Sequence, residues 1–229
     1  MTRRIVRKKG GATTGGLKMN RGSKLSTKQW VTLGLLAALV LIMSSTPLGT
    51  LPLGPLSITL NMIPVAIAAI AVGPVGGCII GAVFGTYSFL QAMGIGVPSG
   101  MGILTFGISP VLTFVQRFVS RAVTGLLLGY IFRGIRKLIN TPVAVFSTGF
   151  CAAILNFIFF MGLLAVCFGN SPEFGVFLHD KLGKATMTAY IVGTFLSNTI
   201  FEITVTTLLT GLVGLGLFKA KLIDVTETK

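Results

Sequence analysis

Long apolar runs, separated by short polar or glycine- and proline-rich segments, dominate the chain. They predict six membrane-spanning helices, because about 20 apolar residues in a helix cross the hydrocarbon core of a bilayer. The approximate bounds are 31–43, 58–72, 74–92, 110–132, 142–168 and 187–218. Residues 44–57 contain three prolines and two glycines, which end a helix, and Gly73-Pro74 predicts a tight turn. The pattern therefore predicts an all-α integral membrane protein, a bundle of six helices.

Two of the predicted connections differ in composition. Residues 94–108 contain five glycines and no charged residue. Such a segment is flexible, and it serves either as a lid over a site or as an ordinary surface connection. Residues 169–185 form a polar loop that holds the only histidine, His179. A single histidine without neighbouring Cys, Asp or Glu is typical of a solvated loop, so no metal site is predicted.

The composition excludes a soluble protein. Hydrophobic residues make up 52% of the 229 residues and charged residues only 10%, with a mean hydropathy of +0.89. A soluble domain carries about 25% charged residues. Cys78, Cys151 and Cys167 lie in apolar runs without a C-x-x-C pair, so neither a disulfide framework nor zinc is expected. No cofactor is predicted.

Positive charge is concentrated on one predicted side of the membrane. The net charge is +14, and nine of the 19 Lys and Arg residues precede residue 30. With an inner N-terminus, the inner segments 133–141 and 219–229 add three each, whereas the outer segment 169–185 holds two. This asymmetry predicts that both termini are cytoplasmic. We expect a basic flexible tail over 1–29, the membrane domain over 30–218 and a second tail from 219.

The basic tail precedes an apolar run. This order favours a membrane-surface anchor over a nucleic-acid-binding arm. A cleaved signal peptide is the weaker alternative, because a basic, Gly/Ser/Thr-rich segment of more than 20 residues separates Arg3-Arg4 from the apolar run.

Three charged residues fall at membrane depth: Arg117, Arg121 and Glu202. Such residues are costly in a bilayer and are usually functional. Counted at 1.5 Å per residue, Arg117 and Glu202 lie about 24 and 26 Å from the cytoplasmic ends of their helices. Glu202 could therefore neutralise Arg117, leaving one arginine to bind an anionic substrate group through two parallel hydrogen bonds. The alternative is a structural cluster in which Glu202 and water satisfy both arginines.

Further polar residues are predicted in the outer half of the bundle, whereas the inner half is nearly all apolar. This distribution predicts a cavity that is open to the outside. Taken singly, these residues suit interhelical hydrogen bonds as well as ligand contacts. Together with the three charged residues, the candidate substrate contacts are Asn61, Tyr87, Gln91, Asn156 and Asn198.

Small residues recur every four positions on three predicted helices. They are Gly73, Gly77, Gly81 and Gly85, then Gly125 and Gly129, and finally Gly34 and Ala38 on the first helix. Such stripes let another helix backbone approach closely. They indicate either internal packing or, most plausibly on the first helix, docking of a partner membrane subunit.

Two sequence blocks resemble a known family. One is I-P-V-x-I-x-A-I-x-x-G-P, which begins at Ile63, and the other is R-x-x-x-G-L-L-x-G, which begins at Arg121. Together they resemble the substrate-binding S components of energy-coupling factor (ECF) vitamin transporters, and most closely the pantothenate-binding subgroup. The resemblance covers about residues 30–218 and is densest over 53–137.

This resemblance implies a six-helix bundle in a bacterial cell membrane that binds a vitamin near its outer face. It also implies a complex with a membrane coupling subunit and two cytoplasmic ATPases, which topple the S component to release the vitamin inside. The family often docks its coupling subunit through alanine-x-x-x-alanine on the first helix. Here Gly34 and Ala38 keep the small size and the spacing.

The function predicted from the sequence is therefore a substrate-binding transporter subunit without catalysis. The chain has no G-x-x-x-x-G-K-[ST] motif for ATP hydrolysis and no nucleophile–base or metal constellation. A free arginine favours pantothenate, which carries a carboxylate, while hydroxymethylpyrimidine and pyridoxine stay open. The alternative function is a self-sufficient facilitator or channel for a small solute.

Overall fold

The computed structural model describes residues 25–46, 49–53, 56–97, 99–183 and 186–220. Both predicted tails lie almost entirely outside these residues. The helices are α1 (Thr27–Ser45), α2 (Met62–Ala71), α3 (Pro74–Ala92), α4 (Gly100–Ile108), α5 (Pro110–Phe114), α6 (Ser120–Leu138), α7 (Thr141–Phe168), α8 (Pro172–Leu182), α9 (Met187–Thr194) and α10 (Ile200–Lys219). Strands β1 (Thr50–Leu53) and β2 (Leu56–Thr59) lie between α1 and α2. One π-helical turn, Val115–Val119, joins α5 to α6, and a second, Phe195–Thr199, joins α9 to α10.

Among the described residues, five helices are long and apolar enough to cross a membrane: Thr27–Ser45, Pro74–Ala92, Pro110–Leu138, Thr141–Phe168 and Ile200–Lys219. They confirm a multi-span helical membrane protein. The predicted second span is shorter than expected, because α2 has 10 residues and a length of about 15 Å. Its residues from Met62 to Ile70 are all buried, so α2 lies in the core of the bundle. That the chain crosses the membrane six times remains a prediction.

Regular structure also occurs in three predicted connections. β1 and β2 pair as an antiparallel hairpin, from Thr50 opposite Thr59 to Leu53 opposite Leu56, so the described residues are not wholly α-helical. From residue 100 onward α4 replaces the predicted flexible loop, and the Ser99 hydroxyl caps this helix by accepting from Gly102 N at 3.3 Å. The polar loop contains α8, which ends at a left-handed Gly183.

The glycine stripe of α3 is internal packing. A Cβ atom at Gly77 would collide with the carbonyl group of Gly125, and one at Gly81 would collide with the carbonyl of Arg121. Gly85 faces the α5–α6 helix one turn further along, where a Cβ would lie 2.8 Å from the Phe118 Cα. These contacts hold the backbones of α3 and α6 together, and they fix the height of Arg121 relative to α3.

The first helix presents its small residues differently. Leu33, Leu36 and Val40 of α1 are buried against α2 and α3. Gly34 and Ala38 lie on the opposite, exposed side, and nothing lies within 4 Å of a Cβ built on Gly34. Gly34 and Ala38 are therefore not used in the packing of the described bundle.

A second apolar cluster lies at the end of the bundle that carries α4 and α8. Phe168, Phe174 and Tyr190 form its buried part together with other residues of α7, α8 and α9. Met101 of α4 packs against the cluster, and its sulfur accepts a hydrogen bond from the Tyr190 hydroxyl at 3.6 Å. The cluster fixes the position of α4, which lies against Arg117.

Candidate functional site

Arg121 lies between two aromatic rings. Its Cζ atom is 4.5 Å from the centre of the Phe84 ring and 4.7 Å from that of Phe160. Its Nη1 donates to the Arg117 carbonyl at 3.2 Å and to the Ser120 hydroxyl at 3.4 Å. The Nε atom is buried and has no partner within the described residues. The rings therefore pack against the cation, while its Nε is left for a further acceptor.

Arg117 joins two helices. Its Nη1 donates to the Ser88 carbonyl at 3.1 Å and to the Ser88 hydroxyl at 2.9 Å, which ties it to α3. Its Nη2 lies against Gly102 of α4, where a Cβ would come within 2.6 Å of that nitrogen. The ring of Phe160 is 5.9 Å away. Arg117 is thus held between α3 and α4, and the side toward α4 is filled by the Gly102 backbone.

A π-helical turn sets the direction of these side chains. Gln116 and Arg117 are consecutive residues in the turn Val115–Val119, and they are only 1% and 4% exposed. The second π-helical turn, Phe195–Thr199, contains the buried Asn198 and ends just before Glu202. Single π-helical turns inside α-helices occur frequently at functional sites. Both turns lie on the helices that carry the intramembrane charges.

Glu202 has a different partner from the one predicted. Its Oε1 accepts from Asn156 Nδ2 at 3.3 Å, and the backbone of Thr59 interacts with the same carboxylate. In the described part of the chain it forms no ion pair with Arg117 or Arg121. It interacts with Arg121 at longer range through Coulomb attraction. The expected neutralisation of Arg117 by Glu202 is therefore replaced by an Asn156–Glu202 pair beside Arg121.

Three of the predicted contact residues form hydrogen bonds with the end of α1 or with Gly49 beyond it, and not with the arginine cluster. Gln91 Nε2 donates to the Ser44 carbonyl at 3.1 Å, and the Tyr87 hydroxyl lies 2.8 Å from that of Ser45. Asn61 Nδ2 donates to the Gly49 carbonyl at 3.4 Å. These bonds fix the end of α1 and the start of the hairpin. The structure therefore brings together Arg117, Arg121, Asn156 and Glu202, and places Tyr87, Gln91 and Asn61 at the α1–hairpin junction.

Several residues of the cluster were not predicted from the sequence. Ser88, Phe84, Phe160 and Gly102 carry no signal that separates them from the packing residues of any membrane helix. Gln116 does carry one, because it is a polar residue at membrane depth directly before Arg117. Its Nε2 donates to the Phe160 carbonyl at 3.2 Å, and its Oε1 is buried without a partner in the described ranges.

The chemistry of the cluster suits binding. Two guanidinium groups and one carboxylate, set among phenylalanine rings, leave one positive charge for a ligand that is an anion. Across the residues that the structure describes, no group of three His, Cys, Asp or Glu side chains could hold a metal ion.

The comparison with protein families gives one match. A family model described as "ECF transporter, substrate-specific component" matches residues 28–214, from the first turn of α1 into α10. The search of curated proteins finds no match.

Proposed function

The chain belongs to the family of ECF transporter substrate-specific components, and from this premise we propose that it binds pantothenate. As a member of that family it is a multi-pass membrane subunit of a transporter and not an enzyme. Its partners are the ECF coupling and ATPase subunits, and its ligand is a small molecule. The family therefore favours a subunit driven by partner ATPases over a self-sufficient facilitator or channel.

The observation that carries the proposal is the unpartnered Nε edge of Arg121. A carboxylate binds a guanidinium in its plane through two parallel hydrogen bonds, and Nε contributes one of the two donors on this edge. The Phe84 and Phe160 rings, whose centres lie 4.5 and 4.7 Å from Cζ, supply no hydrogen-bond acceptor, so the Nε edge is open to one from a ligand. Pantothenate carries one carboxylate, which matches the one uncompensated positive charge of the cluster.

The structure of Arg117 favours a different role. Its Nε is also buried without a partner in the described residues, but its Nη1 is used by Ser88 and its Nη2 side is occupied by Gly102, which leaves no room for a carboxylate on that edge. We therefore propose that Arg121 binds the substrate carboxylate and that Arg117 holds α3 and α4 together. Asn156 and Glu202 complete the site beside Arg121, with Asn198 in the adjacent π-helical turn.

Partner docking is proposed on the exposed face of α1. Gly34 and Ala38 lie on this face and leave space for the backbone of another helix. Trp30 and Ile42 lie on the same face, 57% and 61% exposed. The membrane-embedded coupling subunit of the transporter would cover this face. The Lys and Arg distribution supports cytoplasmic termini. We further propose that the vitamin site opens to the outside of a bacterial cell membrane, with two ATPases on the inner side.

The decisive experiment is mass spectrometry of the small molecules released from the purified protein, followed by isothermal titration with pantothenate. We expect pantothenate among the released molecules and saturable binding with one site per chain. Release of a neutral pyrimidine or pyridine vitamin, without binding of pantothenate, would overturn the proposal for the substrate.

A further inference from the structure

The cluster contains unpartnered acceptors as well as unpartnered donors. The Oε1 atom of Gln116 and the Oδ1 atom of Asn156 are both buried without a hydrogen-bond partner in the described part of the molecule. The two residues are 1% and 8% exposed. A buried amide oxygen without a partner lowers stability, because it gives up its hydrogen bonds to water and gains none in the folded protein. Such atoms are uncommon in folded proteins, and two in one cluster therefore need an explanation.

The direction of each amide is fixed by its nitrogen. Gln116 Nε2 faces the Phe160 carbonyl, and Asn156 Nδ2 faces the Glu202 carboxylate. A carbonyl or carboxylate oxygen accepts hydrogen bonds and cannot donate them, so the amide nitrogen must lie on that side. The amide oxygens are consequently turned away from these partners, and an exchange of O and N would break both bonds.

Both amides surround the arginine that we assign to the substrate. Phe160, whose carbonyl holds Gln116, also places its ring 4.7 Å from the Arg121 Cζ. Asn156 is one turn before Phe160 on α7, and its Glu202 partner interacts with Arg121. The unpartnered oxygens and the unpartnered Nε of Arg121 therefore belong to one cluster, joined through Phe160 and Glu202.

From this arrangement we infer that Gln116, with Asn156 beside it, accepts hydrogen bonds from hydroxyl or N–H donors of the ligand. The inference rests on the proposed function and adds a requirement to it. The ligand must carry donors at a distance from its carboxylate, so an apolar carboxylate of similar size is a poor ligand. Gln116 is then a specificity-determining residue, because it separates hydroxylated ligands from their deoxy analogues.

The physical reason is the cost of an acceptor that stays empty. A ligand that lacks the donor would displace water from the Gln116 oxygen and supply nothing in return. A ligand with the hydroxyl satisfies the oxygen. One such bond changes affinity by roughly tenfold. A residue that only held Phe160 in place would instead change the affinity for both ligands by the same factor.

The test uses pantothenate and dideoxypantothenate, the same molecule without its hydroxyl groups, in titrations of wild-type protein, Gln116→Met and Gln116→Glu. Met and Glu both keep the length of the side chain and both lose the Nε2 donor to the Phe160 carbonyl, so loss of that bond is common to the two variants. Met also removes the acceptor, whereas Glu keeps one. We expect the wild type to bind pantothenate at least tenfold more tightly than dideoxypantothenate. Gln116→Met should lose most of this preference, and Gln116→Glu should keep it.

Each other outcome counts against the inference. A wild type that binds both molecules equally would overturn it without use of any variant, and so would a preference that persists in Gln116→Met. Both results leave the proposed function intact, because pantothenate still binds. A wild type that binds neither molecule would overturn the proposed function and, with it, the inference.

Discussion

At the scale of single residues, the guanidinium of Arg121 shows how a charge is kept at membrane depth without an ion pair to any described residue. The centres of two phenylalanine rings lie 4.5 and 4.7 Å from its Cζ, and a backbone carbonyl and a hydroxyl accept from Nη1. Cation–π contacts are worth about 2 kcal/mol when desolvated, which is less than the desolvation of a full charge. The remaining edge is therefore a strong site for an anion.

Arg121→Ala should weaken pantothenate binding about 10- to 150-fold, the range expected for a charge-assisted contact of about 1.5–3 kcal/mol. Arg121→Lys should give an intermediate loss, because an ammonium keeps the charge but lacks the planar pair of donors. Isothermal titration measures both. Pantothenol, which lacks the carboxylate, is the matched ligand, and its weaker binding should change little. A loss of less than tenfold for pantothenate in Arg121→Ala would contradict the assignment of the carboxylate to Arg121.

Glu202→Gln should lower the melting temperature of the empty protein. The substitution keeps an acceptor for Asn156 but removes the only carboxylate that interacts with Arg121 in the described residues, which leaves a second buried positive charge uncompensated. Pantothenate should restore part of the loss, because its carboxylate supplies the missing negative charge. Thermal unfolding with and without the vitamin measures both effects. An unchanged melting temperature would show that Glu202 does not compensate the arginines.

At the scale of elements, α4 depends on a missing side chain. A Cβ at Gly102 would lie 2.6 Å from Arg117 Nη2 and 3.0 Å from the Ala92 Cα. A Cβ at Gly107, on the same helix, would meet nothing within 4 Å. The two glycines therefore differ in packing and share the same helical context.

Gly102→Ala should displace α4 from Arg117, whereas Gly107→Ala should stabilise the helix slightly, since Ala has the higher helix propensity. We expect amide hydrogen exchange in residues 100–108 to rise about tenfold in Gly102→Ala, which corresponds to about 1.4 kcal/mol. In Gly107→Ala it should stay the same or fall. Equal exchange in the two variants would mean that Arg117 does not hold α4.

The first helix illustrates a second kind of element, one with a face that its own bundle leaves open. Gly34→Leu and Ala38→Leu should leave pantothenate binding intact and abolish uptake by the assembled transporter, because both residues lie on the exposed side of α1. Titration of the purified subunit and uptake in cells separate the two effects. Thr32 lies on the same helix and is half-buried, and Thr32→Ala is the control that should keep uptake. A loss of binding with normal assembly would place Gly34 and Ala38 in the packing of the subunit itself.

At the scale of the whole molecule, the distribution of Lys and Arg predicts which ends of the helices meet the cytoplasm. In a background without native cysteines, Ser99→Cys and His179→Cys should react with an impermeant thiol reagent added outside, and Thr141→Cys should not. His179 suits this test because its side chain is 78% exposed. Labelling of Thr141→Cys from outside would reverse the topology, and with it the side from which the site opens.

The apolar runs and the three intramembrane charges could be predicted from local composition, because a bilayer demands apolar helices and penalises each charge within them. The family could be predicted from the resemblance of the two sequence blocks that begin at Ile63 and Arg121. Helix ends were predicted closely where a proline begins a helix, as in α3. Gln116 could have been found by the same reasoning, since it is polar at membrane depth.

Which polar side chains contact one another depends on the tertiary structure. The depth count placed Glu202 level with Arg117, yet two π-helical turns rotate the side chains, and Glu202 bonds to Asn156. The glycines of α3 pack against α6 whereas Gly34 of α1 faces outward, although their spacing in the sequence is the same. Spacing along a helix fixes which residues share a face. The partner of that face depends on the arrangement of all the helices, which no local pattern contains.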